Sequence, residues 1–359
     1  MRRTARLVAV VAVVAACGGG GKAKVADKPV GPAVDEKTAE KDAEGLVTEI
    51  YDTINRGKPD NLFSLLNDPL IIFGPRKADA MVTRSEALVA LGKVVDPKAK
   101  QHAQLRSGSL GVIASAGGHS AWAFDVVSVE GQPMAMMAVL TNDNDLWALS
   151  AAALAHTPSM KEIRAELKKV AVVPPGAMSA AKIDERAEGA VEKFKKGLLD
   201  QQIWGDDLSN RTEALVIGPA SGDITKGKKE IKRLWKKRME AETRAALSGE
   251  ISAAATPDGQ LAWVTAPVTR VEKDEDPLPL RVFAVFEKDG DGWKMIALAE
   301  SLALDEPGAG TSFLKFMPPE PKPPEPPPEI KQPKKEDKKI DKKKKKQKKK
   351  KKKKVEDDE

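Results

Sequence analysis

Cysteine, tyrosine and histidine side chains, which can act as nucleophiles, general bases or metal ligands, are scarce in this sequence. Its 359 residues include one cysteine, one tyrosine and three histidines, His102, His119 and His156. The histidines have no carboxylate or thiol beside them at metal-ligand spacing, so we predict no metal site and no cofactor. The candidates that remain for acid–base chemistry are Tyr51 and Asp125.

Asp125 lies in the middle of a predicted extended segment, 119–130, directly after Phe124. Side chains alternate between the two faces of a strand, and this alternation can turn Asp125 toward the domain interior. Burial disfavours the charged form of a carboxyl group and therefore raises its pKa. If it is buried, we expect Asp125 to be the best base candidate in the chain.

Residues 1–17 have the layout of a secretory signal peptide. Three arginines precede the apolar run 7–16, which is shorter than the roughly 17 to 25 residues that a membrane-spanning helix needs. The segment VAAC at 14–17 resembles the lipobox of bacterial lipoproteins. This resemblance implies that 1–16 is removed and that Cys17 is acylated, which anchors the protein in the bacterial cell envelope, at the outer membrane in a Gram-negative cell. The alternative is an ordinary secretory signal with a cysteine at its cleavage site.

Both ends of the chain beyond the predicted domains are biased in composition. Residues 17–35 are rich in Gly, Lys, Ala, Val and Pro, which predicts a flexible tether. Residues 306–359 form a proline-rich and then lysine-rich tail that we predict to be disordered. The last 42 residues carry 18 lysines and 10 acidic residues, whereas 17–317 has a net charge of −4. The basic balance of the whole chain therefore comes from the tail.

The lysine run predicts a tail that contacts anionic partners, because dense positive charge attracts anionic lipid, envelope polymer, acidic protein and nucleic acid alike. Export of the chain argues against nucleic acid as its target in the cell. A solvated tail without a dedicated partner is the other interpretation. The lysines assigned to this contact are Lys343, Lys344, Lys345, Lys348, Lys349, Lys350, Lys351 and Lys352.

The body of the chain contains two copies of one sequence pattern. Four pairs of segments recur in the same order at nearly constant offsets. The pairs are AEGLVTEIYDTINRG with AEGAVEKFKKGLLDQ, DPLIIFGP with EALVIGP, GHSAWAFDVVSV with DGQLAWVTAPVTRV, and NDNDLWALSAAALA with KDGDGWKMIALAES. We therefore predict two domains, 36–158 and 180–305, joined by a linker at 159–179 that includes a short helix.

Each copy changes from helical to strand-like periodicity along its length. In the first copy, helical spacing extends to residue 66 and returns at 83–94, and four extended segments joined by hairpin-sized turns follow. The second copy has the same order, with a longer, basic helix at 226–247, for which a solvated face and a binding surface are both open. The pattern predicts an α+β fold in which N-terminal helices pack on a curved antiparallel sheet.

This order of elements resembles the SnoaL-like branch of the nuclear-transport-factor-2-like (NTF2-like) superfamily, to which ketosteroid isomerases also belong. The segments that carry the resemblance are IIFGP and VIGP, HSAWAFDVV and QLAWVTAPV, and DLWALSAAAL and GWKMIALAES. The resemblance implies two tandem cone-shaped domains. Each would have a pocket between sheet and helices that holds a small molecule, catalyses a reaction, or does neither.

Ketosteroid isomerase chemistry requires a carboxylate base, together with a tyrosine and a protonated carboxylic acid that stabilise an oxyanion. Tyr51 has a position similar to that tyrosine, and Phe194 replaces it in the second copy. The base position falls at Gly74 and Gly218, and the acid position falls in the segment 133–140, which has no ionisable residue. We therefore interpret Tyr51 as a pocket or core aromatic, with a catalytic role as the alternative.

Four tryptophans occupy equivalent places in the two copies. Packing of large aromatic side chains at the sheet explains this recurrence, and contact with a ligand is the alternative. These pocket or core aromatics are Trp122, Trp147, Trp263 and Trp293.

Together these features favour an envelope-anchored, non-enzymatic lipoprotein. Its two domains would bind a small apolar molecule or act as a protein scaffold, and its tail would contact anionic partners. One alternative is a small-molecule enzyme, of the isomerase or hydratase type, that uses the first-domain pocket. The other is an adaptor that binds an anionic envelope polymer through the tail.

Overall fold

A computed structural model of the protein describes residues 32–74, 80–95, 105–129, 132–167, 182–199 and 206–302. Cys17, the predicted tether up to residue 31 and the lysine tail lie outside these ranges. The described residues form two sheets, each accompanied by helices, which confirms the prediction of an α+β fold with two tandem domains. No helix in this part of the chain is long and apolar enough to cross a bilayer.

The first domain starts with helix α1 (Glu36–Asn55), whose first turn is capped by the Asp35 side chain. Helix α2 (Arg84–Val95) is capped by the hydroxyl of Thr83. Between them, where the sequence has helical spacing up to residue 66, Pro59–Leu65 forms a 3₁₀ helix that leads directly into the first strand. The strands are β1 (Leu66–Phe73), β2 (Ala80–Met81), β3 (Leu105–Arg106), β4 (Gly111–Ala114), β5 (Ser120–Val129), β6 (Gln132–Asp143) and β7 (Leu146–His156).

The second domain contains a short 3₁₀ turn, Glu185–Ala187, and the helices α3 (Met160–Leu167), α4 (Glu188–Leu199) and α5 (Lys228–Glu240). The prediction of one helix over 226–247 was wrong at its C-terminal end. Helix α5 ends at Glu240, and Glu242 takes a left-handed backbone conformation with a φ of 51° that breaks the helix. The strands are β8 (Leu215–Ile217), β9 (Ile224–Lys226), β10 (Arg244–Leu247), β11 (Ser252–Ala255), β12 (Leu261–Val271), β13 (Leu278–Asp289) and β14 (Gly292–Leu302).

The two sheets have the same strand order. The first runs β2-β1-β7-β6-β5-β3 with β4 also paired to β5, and the second runs β9-β8-β14-β13-β12-β10 with β11 also paired to β12. The named strands pair antiparallel, except that β1 runs parallel to β7 and β8 runs parallel to β14. Trp122 lies opposite Val139, and Trp263 lies opposite Val285. The described structure therefore contains two copies of one topology.

The two sheets pack face to face, and each sheet carries its helices on its outer face. One apolar cluster lies between the sheets and includes Trp122 and Met137 of the first with Trp263, Phe283 and Val285 of the second. A separate core lies between each sheet and its own helices. The resulting order of layers is helix, sheet, sheet, helix.

Polar contacts also join the two domains across this interface. The Asp258 carboxylate accepts hydrogen bonds from the hydroxyls of Ser120 at 2.7 Å and Ser115 at 3.4 Å, and all three side chains are buried. The buried Arg281 donates from Nη1 to the carbonyl oxygen of Gly74 at 2.9 Å. Buried polar groups that find partners across an interface fix its register, because any slip would leave them unpaired.

Candidate ligand-binding site

Asp125 points toward the helices of the first domain, as strand alternation predicts, and its side chain is fully buried. Its neighbours Ala123 and Val127 on the same strand face belong to the core under α1. The Tyr51 hydroxyl donates to Oδ2 of Asp125 at 3.3 Å. The backbone N–H groups of Gly108 and Ser109 donate to Oδ1 at 3.3 and 2.8 Å. The structure therefore brings together the two residues considered for acid–base chemistry.

This arrangement uses Asp125 to hold two elements together. Its carboxylate ties the backbone between β3 and β4 to helix α1, and both oxygens already accept hydrogen bonds. Burial and the adjacent carboxylate raise the pKa of Tyr51, so the phenol stays protonated and acts as the donor. A carboxylate that accepts three such donors is positioned as a structural clamp.

The positions compared above with a ketosteroid isomerase base, Gly74 and Gly218, have different surroundings in the two domains. The Gly74 carbonyl contacts Arg281, as described above. A Cβ at Gly218 would lie 2.8 Å from Cβ of Asp223, a carboxylate residue that the sequence analysis missed. Burial raises the pKa of Asp223, against the lowering effects of the Ala220 backbone and the nearby arginines. Phe194 is buried in the second-domain core.

A pocket lies in the second domain between its sheet and helices. Its mouth is open to solvent. Most of its wall is apolar, and the lining comes from α4, α5 and strands β10, β12, β13 and β14. The apolar lining residues are Leu198, Trp235, Ala245, Val268, Leu280, Val282 and Leu298.

Three charged side chains, Arg238, Arg270 and Glu300, form the polar part of this pocket. Arg238 donates from Nη1 and Nη2 to the two carboxylate oxygens of Glu300, each at 2.8 Å, and stacks on Trp235 with 4.5 Å between the guanidinium and the ring. Arg270 donates from Nη1 to Oε2 of Glu300 at 2.5 Å. Burial favours the neutral acid, but the two guanidinium groups outweigh it and lower the pKa of Glu300 to about 2. Glu300 is therefore a fixed anion and a poor general base at neutral pH.

The first domain lacks this charged cluster. The strand registers place Leu154 where the second domain has Glu300, and Val129 where it has Arg270. Conversely, the second domain has Ala266 at the position where the first domain has Asp125. The two domains share a topology but carry different polar groups on their helix-facing sides.

This cluster was not predicted from the sequence, because its members come from three elements that are far apart in the chain. A usable signal was present in the strands themselves. Arg270 and Glu300 are the charged residues in the strand segments PVTRV and ALAESL, which are otherwise uncharged. A charged side chain at an inward position of a buried strand indicates a paired ion or a binding group.

The recurring tryptophans occupy two kinds of environment. Trp122 and Trp263 lie between the sheets, where they stack near Phe124 and Phe283 respectively. Trp147 packs on the first-domain core and Trp293 lies within the second-domain core. None of the four lines the second-domain pocket. Among the described residues, no group of three or more His, Cys, Asp or Glu side chains is placed to hold a metal ion.

Comparison with known families agrees with the geometry of the second domain. Residues 201–305 match the SnoaL-like domain family. The matched residues include α5 and strands β8 to β14, and therefore every charged residue of the pocket. No match was found among curated proteins.

Several solved structures are similar to this chain. An NTF2-like superfamily protein from Salmonella enterica is 19% identical over 35% of this chain and 93% of its own, with a TM-score of 0.29. A putative dehydratase of the NTF2-like family from Streptomyces avermitilis is 18% identical over 33% of this chain and 95% of its own, with a TM-score of 0.29. A putative ketosteroid isomerase from Parabacteroides distasonis is 14% identical over 32% of this chain and 85% of its own, with a TM-score of 0.26.

Proposed function

We propose that the SnoaL-like domain binds a small, largely apolar molecule in the pocket between its sheet and helices, and that a lipidated Cys17 holds the protein at the bacterial cell envelope. The observation that carries the binding proposal is the pocket itself. Its apolar walls surround a small number of fixed polar groups, which is the usual composition of a small-molecule site. We infer no chemical step, because Glu300 is held as an anion by two arginines and has no proton to exchange near neutral pH.

The first domain has a supporting role in this proposal. We take it to be a second copy of the SnoaL-like fold, and its strand order, which is the same as that of the second domain, supports this. Its buried carboxylate, Asp125, is occupied by Tyr51 and two backbone amides. Its sheet covers the apolar face of the second sheet that lies opposite the helices of that sheet, which would otherwise be exposed to water. The first domain would therefore stabilise the binding domain.

A pair of adjacent substitutions tests the pocket. Ala245 lines it from strand β10, whereas Ala246 is exposed on the opposite face of the same strand. We expect the mature full-length protein to bind cyclohexanecarboxamide, a neutral probe, at a single saturable site measured by titration calorimetry or ligand-observed NMR. Ala245→Phe should abolish this binding by filling the pocket, and Ala246→Phe should leave it unchanged. Absence of binding to the unmodified protein, or equal loss in both variants, would contradict the proposal.

Anchoring through Cys17 has a direct test. Mass spectrometry of the mature protein should find an N-terminus at Cys17 with acyl chains attached, and detergent should be needed to release the protein from membranes. Cys17→Ser should yield a protein that is not acylated and fractionates without the membrane. An unmodified N-terminus in the wild-type protein would show that the segment is an ordinary secretory signal.

A further inference from the structure

The buried part of the pocket contains more positive than negative charge. Two guanidinium groups, those of Arg238 and Arg270, share the single carboxylate of Glu300. The other acid in contact with Arg270 is Glu272, which lies 3.5 Å from Nη2 and is one-third exposed. Asp223 also interacts electrostatically with the two arginines, from a turn that faces solvent. Water screens both of these acids, so neither fully neutralises the surplus positive charge of the two buried guanidinium groups.

Arg270 also has a donor that no protein group accepts. Its side chain is 6% exposed and lines the pocket, and its Nε has no hydrogen-bond partner among the described residues. A buried N–H group without an acceptor is costly, and more so when it belongs to a charged side chain. The unmet donor belongs to one of the two guanidinium groups that share Glu300, and this residue lines a mostly apolar pocket.

We infer that the natural ligand is a small carboxylic acid with an apolar body, whose carboxylate is bound by Arg270 and whose body lies against the apolar wall. This inference rests on the proposed function of the same pocket. A carboxylate supplies both missing features, since it accepts from Nε and balances the second guanidinium. A neutral amide or ester of the same shape supplies an acceptor and no charge.

A matched pair of probes tests the inference on the mature full-length protein. Cyclohexanecarboxylate and cyclohexanecarboxamide have the same ring and nearly the same shape, and they differ in charge. We expect the carboxylate to bind about tenfold more tightly at pH 7, because hydrogen bonds to charged groups are stronger than neutral ones. Arg270→Met should remove this preference, so that the two probes bind with equal affinity. Arg233→Met, which changes an exposed arginine on α5, should leave the preference unchanged.

A measurement on the unmodified protein tests the inference even if the Arg270→Met variant does not fold. With ¹³C-labelled cyclohexanecarboxylate, the carboxyl resonance of the bound probe should titrate at a lower pH than that of the free acid, because the guanidinium favours the anion. Equal affinity for the two probes, an unshifted titration, or a preference that survives Arg270→Met would overturn the inference. If the protein binds neither probe, the proposed function of the pocket fails as well. Amide binding without a carboxylate preference would refute the ligand class alone.

Discussion

Replacing Glu300 with leucine should lower the free energy of unfolding by about 3–5 kcal/mol, because Arg238 and Arg270 would lose their shared buried partner. The loss should not arise from shape, since Leu154 occupies the equivalent position in the first domain. Urea unfolding of the mature full-length protein measures this effect. Arg238→Leu, Arg270→Val and Glu300→Leu combined should recover most of the lost stability, because a buried charged cluster can be replaced by apolar groups at little cost.

The same substitution should change how stability depends on pH. The pKa of Glu300 is about 2 in the folded protein, below its usual value of 4.5. A carboxyl group whose pKa is lower in the folded than in the unfolded protein stabilises the fold fully at a pH above its unfolded pKa. This stabilisation is lost as the pH falls toward its folded pKa. The difference in stability between wild type and Glu300→Leu should therefore be full at pH 6 and shrink between about pH 4.5 and pH 2. A difference that stays constant across this range, or a single-variant loss below about 1 kcal/mol, would refute the charged-cluster argument.

Trp122→Ala is the second change for which we expect a large effect. Trp122 is fully buried between the two sheets, so its truncation should cost about 3–5 kcal/mol and weaken the packing of one domain on the other. We expect the thermal unfolding of the mature protein, measured by calorimetry, to separate into two transitions, because the apolar contact that couples the domains is reduced.

Trp147→Ala is the matched control for this prediction. Trp147 is only half-buried and packs on the first-domain core, on the side away from the other sheet. Its truncation should cost less and leave the two domains unfolding together. If Trp122→Ala still unfolds in one step at a scarcely altered temperature, Trp122 does not contribute to the contact that couples the domains.

Periodicity and repetition in the sequence were enough to predict the number of domains, the long strands and helices α1 and α2. The strands and helices depend on patterns within a single segment, such as the alternation in 119–130 that turns Asp125 inward, and the number of domains depends on the recurrence of such segments. The end of helix α5 depends on contacts outside its segment. Residues 244–247 contain alanine and leucine, which favour helix, and pairing with β12 makes them a strand.

The candidate site was less predictable from the sequence for the same reason. Tyr51 and Asp125 were identified because single residue types drew attention to them, and the structure joins them by a hydrogen bond. The Arg238, Arg270 and Glu300 cluster depends on three elements meeting at one end of a sheet. Local periodicity does not report which charged residue of one strand will face a charged residue of another.

The face-to-face packing of the two sheets within one chain has a consequence for how the two domains can differ. In a symmetric assembly of two identical chains, every substitution enters both halves at once. Here the two halves are separate segments of one sequence, so a substitution in one leaves the sequence of the other unchanged. The second domain holds two arginines and a glutamate on its helix-facing side, and the first holds the tyrosine–aspartate clamp. A single chain thus keeps one strand order in both halves and carries a different set of polar groups in each.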